Sequence, residues 1–125
     1  MTHQYRLKAE MTREYGAVAA WLTRETPRLA AERSLWRCWE LWKLFFAEHP
    51  DTILDKWLTF PRALAAAGLP RAWQGAPVRT REGLRCLWIV GPKAKRLVRC
   101  PAREVSRTYN EERGLLDGMH PSMAS

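Results

Sequence analysis

The widest apolar stripe in the chain lies between residues 29 and 46. Its members are Leu29, Leu35, Trp36, Trp39, Trp42, Phe45 and Phe46. Thr26 followed by Pro27 is typical of a helix start, because proline lacks only an N–H that would have no partner in the first turn. Pro50 then disfavours helical backbone at the residue before it. The sequence therefore predicts a central helix over 27–48 that the rest of the fold encloses on most sides.

A second periodic pattern precedes this stripe. Its apolar residues recur every three or four positions: Leu7, Met11, Tyr15, Val18 and Leu22. That spacing places side chains on one face of a helix. We predict a first helix from Tyr5 to about Glu25.

Three shorter helices are predicted after the central one. Asp51 is placed to cap a short helix that ends at Leu58, and Thr59 is placed to cap another that Gly68 closes in a left-handed conformation. A last helix is expected from Ala102 to Leu116. Its inward residues are predicted to be Val105, Tyr109 and Leu116.

Two runs of strand-forming residues follow a basic loop over 70–83. Leu84–Val90 and Arg96–Cys100 are separated by five residues, 91–95, which is a plausible hairpin loop. The predicted register pairs Cys86 with Cys100 and Trp88 with Val98. The hairpin must pack on the helices, because a two-stranded ribbon alone is only marginally stable.

These elements predict an α+β fold: a mostly helical, small single domain over residues 1–117, with one β-hairpin in the C-terminal half and a flexible tail over 118–125. The order of two short helices followed by a hairpin is also compatible with a winged helix. In that alternative the helix after Thr59 would read bases, and Arg62 is its only strong hydrogen-bonding side chain. Binding would then be dominated by phosphates.

The positive charge excess is concentrated in the third quarter of the chain. Residues 1–69 hold 10 Lys/Arg and 8 Asp/Glu, residues 70–107 hold 10 and 2, and residues 108–125 hold 1 and 3. A local basic field attracts a polyanion, and the guanidinium fork matches phosphate oxygens. The sequence predicts a non-catalytic protein that contacts DNA or RNA phosphates through the segment 70–107. The predicted contact residues are Arg71, Arg79, Arg81, Arg85, Lys93, Lys95, Arg96, Arg99, Arg103 and Arg107.

Trp73 stands apart from the other tryptophans because it lies in the basic loop, outside any apolar period. It can stack on a base, anchor in a partner's pocket or fill the core. The alternative function is a protein-interaction module, a small subunit or an inhibitor of a larger nucleoprotein complex. In that alternative the 27–48 helix serves a protein partner or self-association.

The sequence offers no sign of a metal, a cofactor or an enzyme active site. The histidines, His3, His49 and His120, are far apart, and the three cysteines lack the spacing of a zinc site. Cys38, Cys86 and Cys100 have apolar neighbours and are expected to be buried free thiols. Charged residues interrupt every apolar stretch, and the N-terminus lacks a signal-peptide pattern. A cytoplasmic protein without a membrane segment is expected.

Overall fold

The computed structural model describes residues 2–115, and side chains from Lys8 onward. The helices are α1 Thr2–Glu32, α2 Cys38–Glu48, α3 Thr59–Ala66, α4 Ala94–Arg99 and α5 Ala102–Glu112. The strands are β1 Leu35–Arg37, β2 Val78–Thr80, β3 Gly83–Arg85 and β4 Leu87–Ile89. The strands form two antiparallel pairs, β1 with β4 and β2 with β3. The predicted α+β class, mostly helical with a hairpin in the C-terminal half, is confirmed.

The predicted boundary between the first and second helices is wrong. Helix α1 continues through Pro27 to Glu32. The Thr26 hydroxyl donates to the carbonyl oxygen of Leu22 at 2.6 Å, so it bonds within the helix and does not cap a new one. Leu29 beyond the proline is fully buried. Packing of this side chain helps hold the last turn in place, although Pro27 cannot donate a backbone hydrogen bond.

The predicted central helix over 27–48 is also wrong, because the chain becomes a strand at Leu35–Arg37. Strand β1 pairs with β4 in the register Leu35 with Ile89, Trp36 with Trp88 and Arg37 with Leu87. Helix α2 then begins at Cys38, where the Glu40 carboxylate accepts the N–H of Arg37 at 2.8 Å. Leu35 and Trp36 are buried as expected, whereas Trp39 is 43% exposed.

The segment 51–58 contains turns where a helix was predicted. The carboxylate that accepts backbone N–H groups ahead of α3 belongs to Asp55 and not to Asp51: it accepts those of Trp57, Leu58 and Thr59 at 3.0–3.1 Å. These bonds hold the start of α3. The predicted helix is confirmed, and Gly68 ends it with φ +87°, but Thr59 is its first residue and not its cap.

The predicted hairpin over 84–100 is wrong. Residues 94–99 form helix α4, which is stabilised by burial of Leu97. Leu87–Ile89 pairs with β1 and not with residues 96–100. The pairs Cys86 with Cys100 and Trp88 with Val98 therefore do not form. The observed hairpin lies earlier, at β2–β3, and spans the loop that was predicted to be irregular. The winged-helix alternative thus loses both its first short helix and its wing.

Buried apolar side chains form two clusters. The first joins α1, α2 and α3, where the ring of Phe45 lies 5.5 Å from those of Trp21 and Phe60. The second lies between the strands and α4 and α5. It contains Leu35, Ala72, Val78, Leu87, Ile89, Leu97, Val105 and Tyr109. Val105 and Tyr109 face inward as predicted, while Leu116 and the tail over 118–125 lie outside the described residues.

Candidate nucleic-acid interface

Strand β2 and the turn after it carry two exposed arginines. Val78 and Thr80 are buried and Arg79 is exposed, since successive side chains of a strand point to opposite faces. Arg81 follows two positions after Arg79 and is exposed as well. The side-chain oxygen of Asn110 accepts the N–H of Arg81 at 3.0 Å. This bond ties the end of the strand to helix α5.

Helix α5 presents two more arginines. Val105 and Tyr109 are fully buried in the second cluster, which fixes the rotation of the helix. Arg103 and Arg107 are one turn apart and exposed. No side chain caps the first turn of α5, whose N-cap is Pro101. The N-terminal end of the helix dipole adds to the positive field there.

Three adjoining depressions cross this part of the surface. The first, about 390 Å³, is lined by Arg79, Thr80, Arg81, Ala102, Arg103, Ser106 and Asn110. The second, about 470 Å³, is lined by Pro101, Arg103, Glu104 and Arg107. The third, about 760 Å³, is lined by Trp73, Gln74, Ala76, Val98, Arg99, Cys100 and Pro101. Arg103 lines both the first and the second depression, and Pro101 lines both the second and the third. We call the surface formed by Arg79, Arg81, Arg99, Arg103 and Arg107 the basic face.

The basic face carries little compensating negative charge. Among the described residues, Glu104 is the one carboxylate that lines any of the three depressions, and it already pairs with Arg96 at 3.5 Å. Within residues 8–115, no carboxylate lies within ion-pair distance of four of its arginines. These are Arg79, Arg99, Arg103 and Arg107. Guanidinium groups in this state are available to an anionic ligand.

The structure places the other predicted contact residues outside the three depressions. The Arg71 guanidinium lies 5.1 Å from the ring centre of Trp88, and Arg85 donates to the carbonyl oxygen of Leu84 at 2.9 Å. Lys93 lies 3.8 Å from the Glu112 carboxylate. Arg96 is paired with Glu104, as described above, and Lys95 is exposed on α4. Arg71 and Arg85 therefore have structural contacts. Where a hairpin tip was predicted, Lys95 lies on α4 and Lys93 is its N-cap.

Trp73 lies in a turn, Ala72–Gly75, with unusual backbone geometry. Its φ is +49°, that of Gln74 is +56° and that of Gly75 is +85°. A bulky non-glycine residue in this region costs roughly 1–3 kcal/mol, and such residues concentrate at functional sites. The Trp73 side chain is 43% exposed. Of the three roles considered for it, filling the core is contradicted by this exposure.

Three polar residues of this surface escaped the sequence analysis: Gln74, Ser106 and Asn110. The helical period of α5 contained a signal for two of them, because Arg103, Ser106 and Asn110 recur at steps of three and four. Gln74 had no such signal. Its position on this surface depends on the left-handed turn at residues 73–75. In the sequence, only Gly75 indicates a left-handed conformation.

The cysteines are free, as predicted, but not uniformly buried. Cys38 and Cys100 are half-buried, whereas Cys86 is exposed, so its predicted burial is wrong. Burial raises the pKa of the Cys38 thiol to about 11 and also raises the pKa of Cys100. These two thiols are protonated at neutral pH and are poor nucleophiles.

Among its described side chains, which begin at Lys8, the segment 2–115 contains no group of three or more His, Cys, Asp or Glu placed to hold a metal ion. In the same part of the chain, no helix has the length and apolar character needed to cross a membrane.

Comparison with known proteins adds no relative. No family model, curated protein or solved structure matches the chain. The function must therefore be argued from the surface itself.

Proposed function

We propose that this protein binds nucleic acid, mainly through phosphate contacts made by the basic face. One observation carries the proposal: β2 with the turn after it, α4 and α5 bring five arginines to three depressions that share lining residues, and among the described residues a single carboxylate lines them. A nucleic-acid backbone presents regularly spaced negative charges, and each one neutralised releases condensed counterions. Arginines from three elements suit such a ligand better than they suit a single small anion.

The contacts are made by side chains whose positions are set by packing. Arg79 and Arg103 flank the first depression from opposite elements, with Ser106 and Asn110 between them as neutral polar groups. A phosphate bound there would accept bidentate hydrogen bonds from a guanidinium fork. Such contacts position a backbone and carry no base information, so we propose little sequence discrimination. The role is binding without catalysis.

We propose that the protein works in the cytoplasm. Its support is the cysteine usage: all three cysteines are free thiols, and one of them, Cys86, is exposed. Free thiols persist in reducing compartments, where disulfides are rare.

The test is binding of labelled single-stranded and duplex oligonucleotides across a salt series, measured by fluorescence anisotropy. The variant Arg79→Ala/Arg103→Ala removes two arginines from the basic face. We plot the logarithm of the binding constant against the logarithm of the salt concentration. We expect the slope for this variant to be shallower than the slope for wild type by about 1.8 on duplex DNA, or about 1.4 on single strands. The slope is informative because it counts the phosphate contacts that are lost.

The matched control is Arg13→Ala/Arg62→Ala. It also removes two exposed arginines, but these lie on α1 and α3, which belong to the first cluster. We expect this control to keep nearly the wild-type slope. Equal slopes for both double variants, or no binding of wild type at low salt, would overturn the proposal.

One observation favours a second function, protein interaction. Large apolar side chains are exposed on α2 and on the segment 53–58: Trp39, Phe46, Ile53, Trp57 and Leu58, of which Trp57 is 77% exposed. Exposed apolar clusters mark protein contacts, including self-association. In this case the chain would be a subunit or an inhibitor of a larger complex. Sedimentation velocity of the wild type and of Trp57→Ala tests self-association, which the substitution should weaken.

A further inference from the structure

The turn that carries Trp73 is built to keep this side chain at the surface. Ala72 before it is fully buried in the second cluster, and Arg71 forms a bridge to Trp88 of β4. After it, the N–H of Ala76 donates to the carbonyl oxygen of Trp73 at 3.1 Å. Both flanks of the turn are thus anchored. The left-handed backbone between them leaves the indole exposed although the second cluster lies beside it.

The third depression combines an exposed apolar wall with hydrogen-bonding groups. Trp73 and Val98 are 43% and 36% exposed, and Pro101 completes the wall. Gln74 and Arg99 line the same depression. A nucleobase has a flat apolar face and a polar edge, and therefore matches both kinds of surface. In a duplex these faces and edges are stacked and paired, so a single strand exposes them far better.

The apolar and the basic parts of this surface share lining residues. Pro101 lines both the third and the second depression, and Arg103 lines both the second and the first. A strand that lies along Arg107 and Arg103 and continues past Pro101 reaches the depression that Trp73 lines. The uncompensated arginines on this path favour a polyanion over an apolar peptide.

We infer that the basic face selects single-stranded nucleic acid, one base of which stacks on Trp73 while Gln74 and Arg99 contact its edge. The inference rests on the proposed phosphate binding and adds a ligand class to it. Stacking on an aromatic side chain tolerates every base, so the selection is for strandedness and not for sequence.

The test compares Trp73→Ala and Trp73→Phe with wild type, using labelled single-stranded DNA, single-stranded RNA and duplex DNA at one salt concentration. We expect Trp73→Ala to weaken single-strand binding by about tenfold, because one stacked base is lost. Duplex binding should not change. Trp73→Phe retains a ring and should recover most of the loss, which also shows that the turn still folds.

Leu84→Ala is the matched control, because it removes another large exposed apolar side chain, one that lies outside the three depressions and outside the apolar surface of α2 and 53–58. It should leave binding of all three ligands unchanged. The DNA and RNA arms show whether the 2′-hydroxyl contributes.

The outcomes separate the two proposals. If Trp73→Ala weakens single-strand and duplex binding equally, or weakens neither, single-strand selection is wrong. Phosphate binding then still stands, provided that Arg79→Ala/Arg103→Ala reduces the salt slope. If wild type binds no nucleic acid, both proposals fail, and a protein partner becomes the ligand to seek.

Discussion

Glu112 holds the helix of the basic face against the start of β1, and its replacement should be costly. Its carboxylate accepts hydrogen bonds from the N–H and hydroxyl of Ser34 and from the N–H of Leu35. Both donor residues are buried. Lys93 also lies 3.8 Å from the carboxylate, but that pair is exposed on the lysine side and contributes little.

The cost of Glu112→Ala follows from the donors it leaves behind. Two backbone N–H groups and one hydroxyl lose their acceptor, and each unsatisfied buried donor costs roughly 1–3 kcal/mol. The carboxylate is 13% exposed, so water replaces part of what is lost. We expect a loss of about 3 kcal/mol in the free energy of unfolding, which lowers Tm by about 12 °C for a chain of this size. Glu112→Gln keeps one acceptor oxygen and should lose about half as much.

The assay is urea unfolding followed by circular dichroism, with Glu111→Ala as the control. Glu111 is the exposed neighbour on the same helix, and its replacement should change stability by no more than about 0.5 kcal/mol. The reasoning is refuted if Glu112→Ala is as stable as Glu111→Ala, or if Glu112→Gln is the less stable of the two Glu112 variants.

Two further predictions concern contacts elsewhere in the fold. Gly91→Ala places a Cβ 2.5 Å from the Cβ of Ala30 at φ +99°, and should cost about 2–5 kcal/mol in urea unfolding. Gly68→Ala, at φ +87° with open space, should cost only about 1–2 kcal/mol, and equal losses would contradict the steric argument. Burial, reinforced by hydrogen bonding to Glu82, raises the pKa of Tyr109 to about 12. Because the unfolded tyrosine deprotonates first, the stability advantage of wild type over Tyr109→Phe should shrink from pH 10 to pH 12, and a constant difference would contradict this.

The local parts of the fold were predictable from the sequence. The apolar period of α1 and the inward residues of α5 were found because a helix face is a short-range pattern. Gly68 was found because only glycine readily takes the left-handed conformation that closes a helix. For the same reason the class of the fold was correct even though the central helix, the helix over 51–58 and the hairpin were misassigned.

The parts that failed depend on distant partners. Leu35–Arg37 has a helical pattern in isolation. It forms a strand because Leu87–Ile89 pairs with it through antiparallel backbone hydrogen bonds. The segment 94–99 is too short for its period to distinguish strand from helix, and burial of Leu97 in the second cluster decides it. Tertiary packing overrides local preference in both cases.

The candidate site was half predictable. The basic segment was found from charge alone, and all five arginines of the basic face were among the ten predicted residues. Which five share a surface depends on the β2–α5 contact, and no local pattern encodes it. The predicted hairpin placed Lys93 and Lys95 in its loop, but Lys93 is the N-cap of α4 and Lys95 lies in its first turn.

The most direct test of nucleic-acid binding by the basic face is backbone amide NMR with a short single-stranded DNA titrated into the labelled protein. The proposal predicts shifts at Arg79–Arg81, at Ala102–Arg107 and at the indole N–H of Trp73. Residues of α1 and α3 should stay unchanged. Shifts confined to α2 and the segment 53–58, or no shifts at low salt, would contradict it.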